Sequence, residues 1–165
     1  MREAFRRAAF SSEKSDWETP PWLVDYLAEV FSWDLDVCAS RGNVCDRYYA
    51  AEDNGLEQDW SGLCWMNPPY GRGVIGKWMA KARATGVSGD GTVVCLVPGR
   101  TAARWWQDHA PDASMIVFIR GRVKFVGATS GAPFPSVIMV FGELSDAQRA
   151  HLAALGWSSE GGCHA

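Results

Sequence analysis

The chain has 165 residues, enough for one domain with a real core and too few for a catalytic domain joined to a sizeable recognition domain. A net charge of −3 excludes broad, charge-driven binding to nucleic acid, which needs many phosphate contacts, but leaves room for a local basic face. Cys38, Cys45, Cys64, Cys95 and Cys163 form no C-x-x-C pair, and His109, His151 and His164 share no metal-ligand spacing with them; buried thiols in a reducing cytoplasm, and no metal, are expected.

Residues 1–15 lack sustained periodicity and read as a flexible, basic arm bearing Arg2, Arg6 and Arg7, which either touches DNA phosphates or simply frays. With no long apolar run it is neither a signal peptide nor a membrane span, so the protein is expected to stay inside the cell that makes it. One domain is predicted over 16–156. Near its start, Trp17-Glu18-Thr19-Pro20-Pro21 precedes Trp22, Leu23, Tyr26, Leu27, Val30 and Phe31 at helical spacing. Thr19 is expected to cap that helix and the prolines to fill its first turn, leaving amides beyond them for a carboxylate.

Ser32 to Ala39 alternates Trp33, Leu35 and Val37 with Asp34 and Asp36, then breaks at Ser40-Arg41-Gly42-Asn43, which predicts a first strand running into a loop. The acidic stretch from Cys45 to Trp60 reads as a loop, with Glu52, Asp53 and Asp59 among its acidic residues. The apolar run Leu63-Cys64-Trp65-Met66 then stops at Asn67-Pro68-Pro69-Tyr70. This predicts a buried strand ending at Asn67, because neither proline can donate to a ladder. In open α/β sheets the carboxyl edge is where ligands bind. The Asn67 side-chain carbonyl and the Pro68 carbonyl are two nearly fixed acceptors, suited to one planar amino group, and Tyr70 offers a ring on which a base could stack.

Gly71, Gly73 and Gly76 predict a flexible turn into a helix with Ile75, Trp78, Met79 and Ala82 on one side. Thr92–Val97 is an uninterrupted apolar run of the kind that parallel sheets bury on both faces, and Met115–Ile119 and Val137–Phe141 are two later core strands joined by a loop. Trp105 and Trp106 lie in a short helix. Ser145 and Gln148 form a capping box for a last helix through Leu155, ended by Gly156, and 157–165 reads as a tail. Between residues 100 and 124 the five cations Arg100, Arg104, Arg120, Arg122 and Lys124 face only Asp108 and Asp112, a net charge of +3. They are either a phosphate-binding face or salt-bridged surface arginines.

Taken together, Trp17-Glu18-Thr19-Pro20-Pro21, Asp34-Leu35-Asp36, Gln58-Asp59-Trp60, Asn67-Pro68-Pro69-Tyr70, Leu96-Val97-Pro98 and Gly121-Arg122-x-Lys-Phe resemble, in this order, the phage-type, Dam-like DNA N6-adenine methyltransferases. The resemblance implies a Rossmann-like α/β fold: a mostly parallel sheet closed by a C-terminal antiparallel hairpin, with helices on both faces. It implies S-adenosylmethionine as cofactor and the exocyclic amine of a flipped adenine in double-stranded DNA as acceptor, with a monomer expected and a phage or prophage origin. Asn67, Pro68, Pro69 and Tyr70 would be catalytic. Trp17, Thr19, Pro20, Asp36, Ala39, Ser40, Asp53, Asp59 and Trp60 would bind the cofactor, and the five cations would bind DNA. Val37 and Ser40 depart from the Asp-Pro-x-x-Gly-x-Gly pattern, in which Gly42 would be the last glycine. Methylation of RNA or of a protein glutamine, or a degenerate DNA-binding module without catalysis, are the alternatives.

Overall fold

The computed structural model describes residues 17–40 and 44–161. The predicted arm over 1–15, Gly42 and Cys163 lie outside the described residues. The chain forms a mixed α/β domain around a six-stranded sheet: β1 Leu35–Asp36, β2 Gly62–Met66, β3 Gly91–Pro98, β4 Met115–Ile119, β5 Ser136–Phe141 and β6 Gly156–Glu160, in the order β1-β2-β3-β5-β4-β6. Its helices are α1 Pro21–Ala28, α2 Ile75–Ser88, α3 Arg104–His109 and α4 Asp146–Ala153.

The two most apolar runs take the middle of the sheet. From Val93 to Pro98 and along all of β5 every residue is buried, as strands covered on both faces require. Fully buried Trp65, Met66, Leu96, Met115 and Phe141 anchor the core, each worth about 1.5–3 kcal/mol relative to exposure. α2 packs on β3 and β5 and against α3. α1 meets α4 through the Tyr26 ring, stacked 3.9 Å from that of His151, and through its hydroxyl, which donates to the His151 carbonyl at 2.7 Å.

β1, β2 and β3 run parallel, with Leu35 opposite Cys64 and Trp65 opposite Val94. β5 runs against both β3 and β4, giving the antiparallel late pair, and β6 runs against β4. The sheet is therefore not mostly parallel, a correction to the sequence expectation, since three of its five pairings are antiparallel. A continuous apolar run reports burial on two faces and carries no information on direction; the 120–135 connection lets β5 return between β3 and β4.

A second correction concerns the tail expected from Trp157. Gly156–Glu160 is a strand, paired with β4 from Ile119–Gly156 to Met115–Glu160. Its Ser158, Ser159 and Glu160 are polar because an edge strand is largely wet, so no apolar run betrayed it. Gly156 is required by contact: a Cβ there would stand 1.9 Å from the Phe118 carbonyl. α4 has the expected capping box, with Gln148 N–H donating to Ser145 Oγ at 3.2 Å and Ser145 N–H to Gln148 Oε1 at 3.0 Å, but ends at Ala153.

These directions fix the site. The carboxyl ends of β1, β2, β3 and β4 all lie at one edge of the sheet, which brings together Asp36, Asn67, Pro98 and the segment beginning at Arg120.

A candidate active site at the carboxyl edge

Asn67 stands where β2 stops, and its side chain is tied on three sides. Nδ2 donates to the Trp17 carbonyl and, at 3.0 Å, to Thr19 Oγ1, while Oδ1 accepts from the Tyr70 hydroxyl at 2.8 Å. The Asn67 carbonyl accepts from the Cys38 thiol at 3.0 Å. Thr19 therefore does not cap α1 as expected: Pro20 takes the N-cap position and its carbonyl accepts from Leu23 N–H at 3.0 Å and Val24 N–H at 3.3 Å. Those amides turn into the helix and are not left open for a carboxylate.

Tyr70 departs from expectation as well. Its ring is 3 % exposed and meets Phe125 and Phe134 edge-on, at 6.3 and 5.6 Å between centroids. The hydroxyl also lies 2.9 Å from the Leu96 carbonyl, and burial pushes the phenol well above its ordinary pKa. The face expected to await a base is packed inward, because Trp17 and the 123–134 segment close over it.

Beside Asn67 opens a cavity of about 560 Å³, lined by Trp17, Glu18 and Thr19 before α1, by Asp36 at the end of β1 and Cys38, Ala39 and Ser40 beyond it, and by Pro68 and Pro69 after β2. Asp36 is the buried charge of this cavity, 3 % exposed. Desolvation raises its pKa from 3.8 to about 6, opposed by hydrogen bonds from Cys38 N–H and Val44 N–H, both at 3.2 Å. Glu18 and Asp25 are the other charged groups on the lining, and no described Lys, Arg or His is part of it. The cavity is thus anionic.

Four of the expected cofactor residues do not line it. Pro20 is buried behind the wall. Asp53 closes its own turn by accepting from Ala50 N–H at 2.8 Å, and the Asp59 carbonyl accepts from the Tyr49 hydroxyl at 3.0 Å. Trp60 is buried under the lining, its indole N–H donating to the Gly55 carbonyl at 2.8 Å and its ring stacked 6.0 Å from Trp78. It supports the wall that Asn54 and Gly55 present to the cavity. Lys81 braces the same wall by donating to the Leu56 and Gln58 carbonyls, and desolvation lowers its pKa.

Sequence reading missed Glu18, Asp25, Cys38, Asn54 and Gly55 as lining residues. Asn54-Gly55 did carry a signal: Asn54 adopts φ 48°, a left-handed turn position that asparagine tolerates. A Cβ on Gly55 would meet the Val37 carbonyl at 2.2 Å.

The five cations divide. Arg100 donates to the Tyr70 carbonyl at 3.2 Å and covers the Phe134 ring at 5.9 Å, so it belongs to the site's packing. Arg104 pairs with Asp108 at 3.5 Å along α3. Arg120, Arg122 and Lys124 are exposed on the segment after β4, alternating with buried Val123 and Phe125. Hydrogen bonds from Val126 N–H to the Glu18 carbonyl and from Ala132 N–H to the Val123 carbonyl tie that segment to the site. Among the described residues no helix is long and apolar enough to cross a membrane, and no group of three His, Cys, Asp or Glu could hold a metal ion.

Fold and site thus define an α/β protein with an anionic pocket beside an Asn-Pro-Pro-Tyr turn. Residues 8–150 match the family described as DNA N-6-adenine-methyltransferase (Dam), and the chain belongs to that family. It is also 38 % identical over 64 residues to YfdM of Escherichia coli (strain K12), a protein named as a candidate methyltransferase, across 33 % of this chain and 69 % of that protein. No solved structure matches.

Proposed function

We propose that this protein transfers a methyl group from S-adenosylmethionine to the exocyclic amine of adenine at specific sites in double-stranded DNA. The observation that carries the reading is the anionic cavity bordered by Asn67 and Pro68. A pocket with three carboxylates and no described cation disfavours phosphorylated nucleotides and suits an adenosine bearing a net positive tail. Its volume is in the range of cofactor sites. The family membership and the parallel β1-β2-β3 portion of the sheet, which a Rossmann-like methyltransferase would use, point the same way.

When bound, the cofactor supplies an electrophilic methyl group. The chain's own part is to hold the acceptor. Oδ1 of Asn67 keeps one lone pair beyond its bond from Tyr70, and the Pro68 carbonyl is a second acceptor held by locked φ angles. One amine hydrogen donated to each would turn the nitrogen lone pair outward. Asp36, Ala39 and Ser40 would hold the cofactor from the β1 side and Trp17 and Thr19 from the α1 side. The target nitrogen is paired inside a duplex, so the base must be extruded at a cost of a few kcal/mol. Arg120, Arg122 and Lys124, at the same sheet edge, would contact the phosphates that accompany it, and Arg100 and Arg104 would add to that contact.

Incubation with methyl-labelled S-adenosylmethionine and a mixed duplex library, followed by mapping of modified bases, tests the reading. N6-methyladenine confined to one short sequence is expected, and Asn67→Ala should abolish transfer with cofactor affinity largely kept. Label only in RNA or protein, or no calorimetric binding of the cofactor, would refute it.

A further inference from the structure

β6 is an edge strand made of Gly, Ser and Glu apart from one large ring. Trp157 is 69 % exposed, more than any other described Trp, Tyr or Phe, and its ring meets that of Phe118 at 5.6 Å between centroids. A single exposed apolar side chain needs no explanation by itself; the position of this one does. β6 runs against β4 with Ile119 opposite Gly156, so Trp157 stands one residue in from the carboxyl edge of the sheet, the edge that carries the cavity. Arg120 N–H donates to the Leu155 carbonyl at 2.9 Å, which fastens the start of the basic segment to the start of β6.

Charge along that edge is unequal. Residues 113–142, which supply β4, the segment after it and β5, hold Arg120, Arg122 and Lys124 and no Asp or Glu. On the other side of the cavity, residues 44–60 run outside β1, joined to it by the Asp36–Tyr48 bridge. They hold Asp46, Glu52, Asp53, Glu57 and Asp59 against Arg47 alone, a net charge of −4. A polyanion meeting this edge is repelled at the β1 end and drawn towards the β6 end. From β2 to β6 there are four strand steps, through β3, β5 and β4, which at the usual spacing come to about 19 Å. Duplex DNA rises about 3.4 Å per base pair, so the span matches about five to six base pairs.

We propose that duplex DNA lies along the carboxyl edge from the cavity towards β6, and that Trp157 packs its exposed ring on the sugar faces of the backbone about five to six base pairs to one side of the extruded adenine. This rests on the methyltransferase reading above and adds to it a direction, a footprint and a residue outside the cavity. Contacts to sugar and phosphate position a duplex without reading its sequence. Trp157 therefore sets affinity and footprint, and site preference is left to other residues.

The test uses the full chain and three duplexes bearing the methylated site mapped above: one extends about ten base pairs on both sides of the target adenine, and two are cut back to about three on one side or the other, short of the span to Trp157. For the parent, one truncation should raise KM about five- to tenfold, the cost of losing an aromatic anchor, and the other should leave it near the full duplex's value. Trp157→Ala should raise KM for the full duplex by the same factor and add nothing on the sensitive truncated duplex, because the contact removed is the same one. Trp157→Phe should recover part of the loss. Val87→Ala, which trims an apolar side chain 65 % exposed near the far end of α2, should follow the parent on all three. Equal sensitivity to both truncations, parental KM for Trp157→Ala on the full duplex, or one penalty common to all three duplexes would overturn the proposal. So would a dimer in sedimentation that Trp157→Ala splits, which would give this surface to a second copy of the chain. If the parent transfers no methyl group, the functional reading fails; fluorescence anisotropy with a labelled duplex still judges the contact, and equal affinity of parent and Trp157→Ala removes it.

Discussion

Replacing Asp36 with asparagine removes the buried charge from the cavity beside Asn67. The lift of its pKa from 3.8 to about 6 corresponds to about 3 kcal/mol opposing ionisation in the empty site. Because the folded value lies above the unfolded one, the folded chain holds an extra proton between about pH 4 and 6, and stability contributed by the neutral acid is lost as pH rises through that window. A cationic ligand favours the opposite, charged form. Affinity for S-adenosylmethionine should therefore climb about tenfold per pH unit below about 6 and level off above it. Glu18 and Asp25 share the lining and are unchanged in the variant, and Cys45, whose thiol is pushed up by burial and by Asp36 itself, stays neutral across this range. At pH 7.5 Asp36→Asn should weaken binding by about 10- to 100-fold, the worth of a charge-assisted contact of about 1.5–3 kcal/mol. The pH slope should vanish with it. Calorimetric titration of parent and variant from pH 5 to 8 measures both, with ligand-free thermal melts over the same range. Binding by the parent that is flat across pH 5–7, or a slope surviving in Asp36→Asn, would refute the electrostatic reasoning.

Gly55→Ala should drive a Cβ to 2.2 Å from the Val37 carbonyl and displace the wall carrying Asn54; a loss of about 1–3 kcal/mol in chemical denaturation is expected, together with weaker cofactor binding, and unchanged values in both would count against that wall. Gly156→Ala should part β6 from β4, since its Cβ would stand 1.9 Å from the Phe118 carbonyl. Faster hydrogen exchange at the amides of residues 115–119 and a lower denaturation midpoint are expected, and a parental midpoint would argue that 156–160 does not pair.

Much of the architecture was legible because local chemistry and burial agreed. The runs at Leu63–Met66, Thr92–Val97, Met115–Ile119 and Val137–Phe141 are strands in the structure, and Pro68-Pro69 ends β2 where missing amide donors require. Asn67 at the carboxyl edge followed from the same logic, whereas Asp36, Ala39 and Ser40, which line the cavity, were marked by the family resemblance. Strand direction was not legible, since the side-chain pattern of a doubly buried strand is the same whichever way the chain runs. Nor was β6, whose pairing is written in backbone hydrogen bonds and one glycine contact.

The site divides along the same line. Residue types and order determined an acceptor pair at a strand end and a helix begun by prolines, because each is a local property of the chain; that Asp36 and Thr19 belong beside Asn67 was carried by the family resemblance. Only the tertiary structure decided which groups face the cavity. It turned Trp60 and Tyr70 inward, set Asp53 to closing its own turn, left Asp59 off the lining, brought Glu18, Asp25, Asn54 and Gly55 to the wall, and used Thr19 to hold Asn67 in place of capping α1. A buried hydrogen bond goes to whichever partner folding brings within about 3 Å, and for the Asn67 amide those partners, Trp17 and Thr19, lie 50 and 48 residues away in the sequence.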